Sequence, residues 1–310
     1  MSEHFSRRRV LKTALLGASG VLAAPAVLRG RFRLGAQSTR EYTKRCIDLV
    51  TGSLVIDMLG LLTINGEVQA RWGRDASGLT AADADEFKQS EIDVFHVAFG
   101  VGGIDSSQAH TAALGVVAGY NAIVANRPDV FMRIDSAEDL ARVHSSGRAG
   151  LMIGIQNAQH FRTADDVELF HSLGQRVSQL TYNSRNRIGN GSTERVDGGI
   201  SDFGVSVIER MNTVGMAVDV SHCGDQTTLD AFEVSQRPVL ITHSNARALA
   251  PGHPRCKPDE AIQAMARSGG VMGITGVRMF VKNEEPTSVE DVLNHFDHVR
   301  DLVGVEHLGV

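Results

Sequence analysis

The sequence is poor in cysteine and proline, and each shortage excludes a class of protein. Its 310 residues include three cysteines, Cys46, Cys223 and Cys256, an odd number without the regular spacing of a disulfide framework. Proline occurs 7 times against 32 glycines, and apolar residues make up 42% of the chain, which is typical of a globular protein and not of a disordered or fibrous one. The length allows one large domain or two small ones.

Most of the chain also has no excess of basic residues. The first 40 residues contain eight basic residues and one acidic residue, whereas the other 270 contain 23 basic and 35 acidic residues, a net charge of −12. A folded body with that charge repels phosphate groups. We therefore predict that the protein has no nucleic-acid partner.

The amino-terminal segment predicts export. Residues 6–12 read S-R-R-R-V-L-K, which matches the twin-arginine pattern at every position, and residues 14–28 are small or apolar and uncharged. This stretch is short for a bilayer-spanning helix, and residues 24–26 offer a small-x-small cleavage site. We expect residues 1–36 to be a signal peptide and linker, read by the twin-arginine export machinery, and residues 37–310 to form one domain in the periplasm or outside the cell. An uncleaved leader that anchors the protein to the membrane is the alternative.

From residue 53 onward, short β-branched runs alternate with stretches of helical period, which indicates β-α units around a parallel sheet. The eight predicted strands are 54–59, 94–99, 151–155, 177–182, 216–222, 239–243, 271–275 and 307–310. The predicted helices are 81–89, 111–126, 137–145, 164–173, 203–214, 227–235, 259–266 and 289–302, with Asp202 and Ser288 as caps of two of them. Eight strands favour a (β/α)8 TIM barrel over a doubly wound sheet, because the turn after the first strand is not a glycine-rich phosphate loop.

Active sites of such barrels lie at the carboxyl ends of the strands. Polar side chains at those ends are Gln156, Asn157, Tyr182, Asn183, His222 and His243. His222 and His243 are the last residues of two neighbouring predicted strands, and the period of two places both on the inner face. Two imidazoles that converge in this way predict a site for a divalent transition metal, although a single histidine at a strand end is more often structural.

Four other side chains are weaker candidates. Asp57 and His96 could join the two histidines, but His96 lies in mid-strand, where a core histidine is the favoured interpretation. Cys223 follows His222 directly and should point the other way. Arg255 lies in a loop over the same barrel mouth, where a guanidinium could clamp a carboxylate or simply be solvated.

The sequence resembles the membrane (renal) dipeptidase family of zinc peptidases from about residue 53 to residue 310. The most specific segments are V-D-V-S-H at 218–222, R-P-V-L-I-T-H-S-N-A at 237–246 and H-P-R at 253–255. The resemblance implies an amidohydrolase-like barrel that cleaves dipeptides at a two-zinc centre. It also implies that His222 and His243 bind one zinc and that Arg255 holds the carboxylate of the dipeptide.

The chain departs from the family pattern at four places. Where the family has a D-G-H-N-D-like turn with two zinc ligands, this chain reads Asp57-Met58-Leu59-Gly60-Leu61, so the first-strand metal site is degraded and one or two zinc ions are possible. Gln156 replaces a glutamate that bridges the metals. Tyr182 replaces a histidine that steadies the oxyanion, and its phenol could still donate a hydrogen bond. Residues 305–310 resemble the start of the family's eighth strand. In the family this strand continues into a G-x-D-x-D-like stretch that carries the proton acceptor. We therefore expect a barrel truncated within strand eight, before that stretch.

The leading hypothesis is an exported, zinc-dependent hydrolase of dipeptides or similar small carboxylated amides. In it, Tyr182 is catalytic, Arg255 and Asn183 bind substrate, and His222 and His243 bind metal. Gln156, Asn157 and Asp57 either stand where the family has metal ligands or support the metal ligands through contacts with them. One alternative is a barrel that has lost this activity and binds a small ligand or a partner protein, and another is a hydrolase of a different amide or a lactone. A homo-oligomer is possible.

Overall fold

The structure is a computed structural model that describes residues 42–62, 66–72, 78–100 and 105–310, so the predicted signal peptide lies outside the described residues. These ranges form nine β-strands and eleven α-helices. The strands are β1 (Ile56–Asp57), β2 (Val94–Gly100), β3 (Phe131–Arg133), β4 (Ala149–Gln156), β5 (Gln175–Gln179), β6 (Ala217–Asp219), β7 (Val239–Ser244), β8 (Met272–Ile274) and β9 (Leu308–Gly309). The helices are α1 (Lys44–Thr51), α2 (Gly66–Trp72), α3 (Ala81–Gln89), α4 (Ser106–Asn126), α5 (Ala137–Ser146), α6 (Asp166–Ser172), α7 (Asp202–Val214), α8 (Asp225–Val234), α9 (Asp259–Arg267), α10 (Arg278–Val281) and α11 (Val289–Val303).

Every strand pair in the sheet is parallel. Eight strands follow chain order in the sequence β1-β2-β4-β5-β6-β7-β8-β9, and β3 pairs with the beginning of β4. The amide of Met58, just after β1, donates a 2.9 Å hydrogen bond to the carbonyl of Val310, just after β9. The sheet therefore curves until its first and last strands meet, as in a (β/α)8 barrel. The predicted fold class is confirmed.

Side-chain caps explain where several helices begin. At α11 the Ser288 hydroxyl accepts from the Asp291 amide at 3.2 Å, and the Asp291 carboxylate accepts from the Ser288 amide at 2.7 Å, which is a capping box. The predicted cap of α7, Asp202, is wrong by one residue. The cap is Ser201, whose hydroxyl accepts from the Gly204 amide at 3.0 Å.

Four elements were not predicted: α1, α2, β3 and α10. The strand β3 has three residues and α10 has four, which is too short for either periodicity to be recognised in a sequence. The longer elements match their predicted positions within a few residues. None of the helices in the described ranges is long and apolar enough to span a bilayer.

The outward faces of the strands pack against the helices. On the first crossover, the Phe87 ring of α3 meets Phe95 of β2 edge-on at 5.6 Å and Phe131 of β3 at 5.1 Å. Each such aromatic pair contributes about 0.5–1.5 kcal/mol beyond the burial of its apolar surface. This packing leaves the inner face and the carboxyl ends of the strands to the polar side chains.

The strand β6 is shorter than predicted. It ends at Asp219, because the Asp219 carboxylate accepts from the Ser221 amide at 3.0 Å and turns the chain. The turn closes with a 3.0 Å hydrogen bond from the Cys223 amide to the Val220 carbonyl. His222 is therefore positioned by a turn, and the prediction that it extends the inner face of the strand is wrong.

Candidate metal centre

The side chains of His222 and His243 meet beyond the carboxyl ends of β6 and β7. Their Nε2 atoms lie 2.9 Å apart, and the ring centroids lie 4.9 Å apart. Each residue exposes 7% of its surface. The two histidines predicted to converge therefore do so, and their role as metal ligands stays a prediction.

The strand and the preceding turn orient His243. Its Nδ1 lies 2.8 Å from the Thr242 hydroxyl, and that hydroxyl donates to the Asp219 carboxylate, also over 2.8 Å. Asp219 further accepts the Ser221 hydroxyl at 2.6 Å. A buried carboxylate thus supports the ring through one intervening hydroxyl group.

His222 is held on two sides. Its Nδ1 lies 2.7 Å from Oδ1 of Asn183, and the Tyr182 ring stacks on its face with centroids 4.2 Å apart and an interplanar angle of 19°. Asn183 has a φ of 58°, in the left-handed region that asparagine tolerates better than most residues. The loop after β5 therefore delivers both predicted residues, Tyr182 and Asn183, to the histidine pair.

Burial lowers the pKa of both histidines, because an imidazolium loses its hydration there. The pKa of His243 falls to about 3; the nearby Asp219 carboxylate opposes the decrease and Arg255 adds to it. The pKa of His222 is also lowered by burial, and the positive charge of Arg255 adds to that decrease. Both rings are therefore neutral near pH 7, which is the form that binds metal ions.

Arg255 is a buried cation, so the alternative of a solvated loop arginine is wrong. The residue exposes 4% of its surface, and its Nη atoms donate to the carbonyls of Ser221 and, at 3.3 Å, His243. Its Nε has no hydrogen-bond partner, and it forms no ion pair within the described part of the chain. Burial lowers its pKa to about 10, which leaves it charged at pH 7. An unpaired guanidinium in this position attracts an anion.

Gln156 and Asn157 lie at the end of β4. The Gln156 amide donates to the Ala98 carbonyl at 3.3 Å. Asn157 has a φ of 130°, a strained backbone for a residue with a side chain, and its Oδ1 accepts from Asn186 Nδ2 at 2.7 Å. No hydrogen bond joins either residue to the histidine pair within the described ranges.

The end of β1 offers few ligand atoms. The Asp57 carboxylate accepts from the Leu59 amide at 3.1 Å, and burial raises its pKa, with that hydrogen bond and the charge of His96 opposing. The neighbouring side chains Leu59 and Leu61 have no donor atoms. A second metal bound at the first strand therefore does not fit the residues present.

Sequence reasoning missed the groups that support the histidines. Asp219, Thr242 and Ser221 lie inside the recognised V-D-V-S-H and T-H motifs but carried no predicted role. Lys257 was also missed. It is buried, and its amine donates 2.8 Å hydrogen bonds to the Cys223 carbonyl and to the Thr228 hydroxyl, which ties the loop after β7 to the turn that carries His222 and to α8. A hydroxyl residue directly before each histidine, Ser221 and Thr242, was the available signal.

His96 is buried in the barrel interior, as predicted for a core histidine. Its Nδ1 lies 2.5 Å from the Met58 carbonyl, and its Nε2 has no partner. Burial lowers its pKa, with the Met58 hydrogen bond opposing.

The donor set fits one metal ion better than two. Two nitrogen ligands on a tetrahedral zinc ion lie about 3.3–3.4 Å apart, so the 2.9 Å pair needs to open by about 0.4 Å. The described residues contain no group of three or more histidine, cysteine or acidic side chains that could hold a metal. A single ion at this pair therefore needs oxygen ligands from amides, water or substrate for its remaining positions.

Comparison with known proteins gives concordant results. A family model described as membrane dipeptidase (peptidase family M19) matches residues 44–310. Dipeptidase verJ of Clonostachys rogersoniana is 33% identical over 178 residues, which cover 56% of this chain and 45% of that protein. Dipeptidase aclJ of Aspergillus oryzae is 30% identical over 190 residues, which cover 59% of this chain and 45% of that protein. The matches span less than half the length of these relatives.

Solved structures share the fold. An amidohydrolase from Pseudomonas aeruginosa superposes with a TM-score of 0.73 at 27% identity, covering 85% of this chain and 75% of that one. A metallo peptidase from Rhodobacter sphaeroides, liganded with a phosphinate mimic of the dipeptide L-Ala-D-Ala, has a TM-score of 0.71 at 20% identity, covering 83% and 84%.

Proposed function

We propose that this chain, which belongs to the membrane dipeptidase family (peptidase family M19), is a zinc-dependent hydrolase of dipeptides or similar small carboxylated amides. One observation carries the proposal: two neutral imidazoles bring their Nε2 atoms within 2.9 Å while each Nδ1 faces an oxygen atom. The relatives named dipeptidases and the neighbour named an amidohydrolase support this reaction class.

Each residue of the site has a role in this reaction. Zinc held by His222 and His243 would supply Lewis acidity to the scissile carbonyl and activate water. Arg255, held beside the pair by hydrogen bonds to two backbone carbonyls, binds the substrate carboxylate. Tyr182, fixed by stacking on His222, donates its phenol hydrogen to the oxyanion. Asn183 supports His222, which its Oδ1 faces, and its contact with substrate stays a prediction.

Metal analysis of the full chain tests the proposal. We expect stoichiometric zinc in the wild type, its loss in the His222→Ala, His243→Ala double variant, and its retention in the control His144→Ala, because His144 is a half-exposed surface residue paired with Asp93. A dipeptide panel should show cleavage that a chelator abolishes and zinc restores. A wild-type protein that binds no zinc would contradict the proposal.

The role of Arg255 has its own test. Arg255→Lys keeps the charge but loses the planar pair of donors, so KM for a dipeptide should rise by about 10- to 150-fold, the equivalent of about 1.5–3 kcal/mol. The same variant acting on a dipeptide whose terminal carboxylate is a carboxamide serves as the control. An equal rise in KM for both substrates would show that Arg255 does not bind the carboxylate.

The side chains at the ends of β1 and β4 favour a second candidate function. Leu59, Leu61 and Gln156 stand where the resemblance implies metal ligands, so a barrel that binds a small carboxylated ligand at Arg255 without cleaving it is consistent with the site. Dipeptides that raise Tm without turnover would support this candidate. Turnover that His222→Ala abolishes would exclude it, and a screen of other amides and lactones would identify a changed substrate.

We also propose export through the twin-arginine machinery, on the basis of the S-R-R-R-V-L-K segment. Arg7→Lys, Arg8→Lys should retain the protein in the cytoplasm, whereas the control Arg31→Lys, Arg33→Lys should not. The mass of the exported form distinguishes a cleaved leader from a retained membrane anchor. Light scattering of the purified protein tests whether it forms a homo-oligomer. Normal export of the first variant would contradict the use of this machinery.

A further inference from the structure

Hydrogen placement on the His243 side of the pair is fixed by its neighbours. The Asp219 carboxylate accepts four hydrogen bonds, from the amides of Ser221 and Thr242 at 3.0 and 3.1 Å and from their hydroxyls at 2.6 and 2.8 Å. Thr242 thus gives its one hydroxyl hydrogen to the carboxylate. Its Oγ1 can then only accept from His243 Nδ1, which is 2.8 Å away. His243 therefore carries its proton on Nδ1 and presents a lone pair at Nε2.

The position of the proton on His222 is adjustable, because the partner of its Nδ1 is the side-chain amide of Asn183. Asn183 offers either an accepting oxygen or a donating NH2 group to Nδ1 of His222, depending on a half-turn of the amide. Within the described residues no hydrogen bond holds the Asn183 NH2 group elsewhere. The backbone of Asn183 is anchored separately, since its carbonyl accepts from the amide and hydroxyl of Thr193 at 2.9 and 2.8 Å. The amide can therefore turn without moving the loop.

The two orientations have opposite consequences at the 2.9 Å contact. When Asn183 accepts, both histidines carry their protons on Nδ1, and two Nε2 lone pairs face each other, which is favourable only with a cation between them. When Asn183 donates, the proton of His222 moves to Nε2, and the contact becomes an ordinary N–H···N hydrogen bond to His243.

We propose that Asn183 is a two-state positioning residue: its amide donates to His222 in the metal-free protein and turns to accept when a cation binds between the histidines. Asp219, acting through Thr242, holds His243 in the Nδ1–H form in both states. The proton count of the pair is the same in the two states, because one proton moves from Nε2 to Nδ1 of His222. The cation-bound state rests on the proposed function, and the metal-free state does not.

Nuclear magnetic resonance of the full chain with ¹⁵N-labelled histidine rings tests the two states. Single variants His222→Ala and His243→Ala identify the signals by their loss. In metal-free protein we expect a protonated Nε2 on His222 and a protonated Nδ1 on His243, and zinc should move the His222 proton to Nδ1. A metal-free His222 protonated on Nδ1, or a His243 protonated on Nε2, would overturn the proposal.

Two substitutions of Asn183 separate the amide from its backbone conformation. Asn183→Asp tolerates the φ of 58° and can only accept, so metal-free His222 should already carry its proton on Nδ1 and zinc should bind about tenfold more tightly. Asn183→Gly tolerates the same backbone and supplies no partner, so zinc affinity should fall about tenfold. Equal zinc affinity in all three proteins would contradict a positioning role.

A matched pair of Thr242 variants tests the hydrogen bonds that connect His243 through Thr242 to Asp219. Thr242→Ser keeps the hydroxyl and should leave the His243 proton on Nδ1. Thr242→Val keeps the shape and removes the hydroxyl, so the His243 proton should distribute between Nδ1 and Nε2. Identical His243 signals in the two variants would overturn the role of Thr242 and Asp219. A wild type that binds no zinc contradicts the proposed function, whereas the metal-free spectra test Asn183 and Thr242 independently of it.

Discussion

Acidification should destabilise the metal-free protein in part through His243. Burial lowers the pKa of this imidazole from 6.5 to about 3 in the folded chain. The unfolded chain therefore takes up a proton at His243 below about pH 6.5, whereas the folded chain does not until about pH 3. The contribution of the neutral ring to stability is complete above pH 6.5 and is lost as the pH falls from 6.5 towards 3.

The size of this effect follows from the pKa shift. One pH unit within that window corresponds to about 1.36 kcal/mol for one group, so His243 alone should lower the free energy of unfolding by about 2 kcal/mol between pH 7.5 and pH 5.0. His222 should add to the loss, because burial lowers its pKa as well. Other buried histidines also contribute to the change of the unfolding free energy with pH. The contribution of His243 is therefore isolated only by comparing this change between variants.

Urea unfolding at a series of pH values in the presence of a chelator measures this difference. His243→Gln places an amide that does not titrate at the same site, so its loss between pH 7.5 and 5.0 should be about 2 kcal/mol smaller than that of the wild type. His144→Gln, at a half-exposed surface position, is the control for replacing a histidine by glutamine elsewhere in the chain. Parallel pH curves for His243→Gln and wild type would refute the reasoning that His243 is kept neutral by burial.

Three further variants test the packing around the site. Phe131→Ala should lower the free energy of unfolding by about 3–5 kcal/mol in urea titrations, because the ring is fully buried between α3 and the sheet. Gly154→Ala should lower the free energy of unfolding by about 1–3 kcal/mol, because a Cβ there would lie 2.1 Å from Nε2 of His96. The same substitution made in a His96→Ala background, where that ring is absent, should cost much less. Lys257→Met should cost about 1–3 kcal/mol by leaving a buried carbonyl and the Thr228 hydroxyl without a donor, whereas an unchanged stability would show that removal of a buried amine compensates.

Much of the fold could be predicted because its elements have strong periodicity. The helix α3 has the predicted bounds, Ala81–Gln89, since a threonine cap and an aspartate three residues into the helix mark its start. The strand β6 was predicted too long, because the apolar alternation continues to Val220 although the Asp219 side chain has already turned the chain. A hydrogen bond between a side chain and an amide two residues on competes with strand pairing, and alternation in a sequence does not record it.

The site could be predicted only in part. The position of His222 and His243 at the ends of consecutive predicted strands sufficed to predict that they meet, because parallel strands end at one edge of the sheet. The burial of Arg255 was missed, since it depends on the fold of the loop after β7 over the barrel mouth. The relay from Asp219 through Thr242 depends on side-chain directions at two strand ends, and a linear pattern contains no such directions.

The backbone at Asn157 and Asn183 limits how the site can be redesigned. Both residues have positive φ values. The φ of 130° at Asn157 strains any residue with a side chain, and the φ of 58° at Asn183 strains most side chains other than those of asparagine and aspartate, whereas glycine is relaxed at both positions. A mutational library with all twenty amino acids at these two positions would therefore consist mostly of unstable members. Variation in substrate preference is more accessible at Gln156, one residue before Asn157, where the backbone φ is negative and the residue ends β4 at the same edge of the sheet.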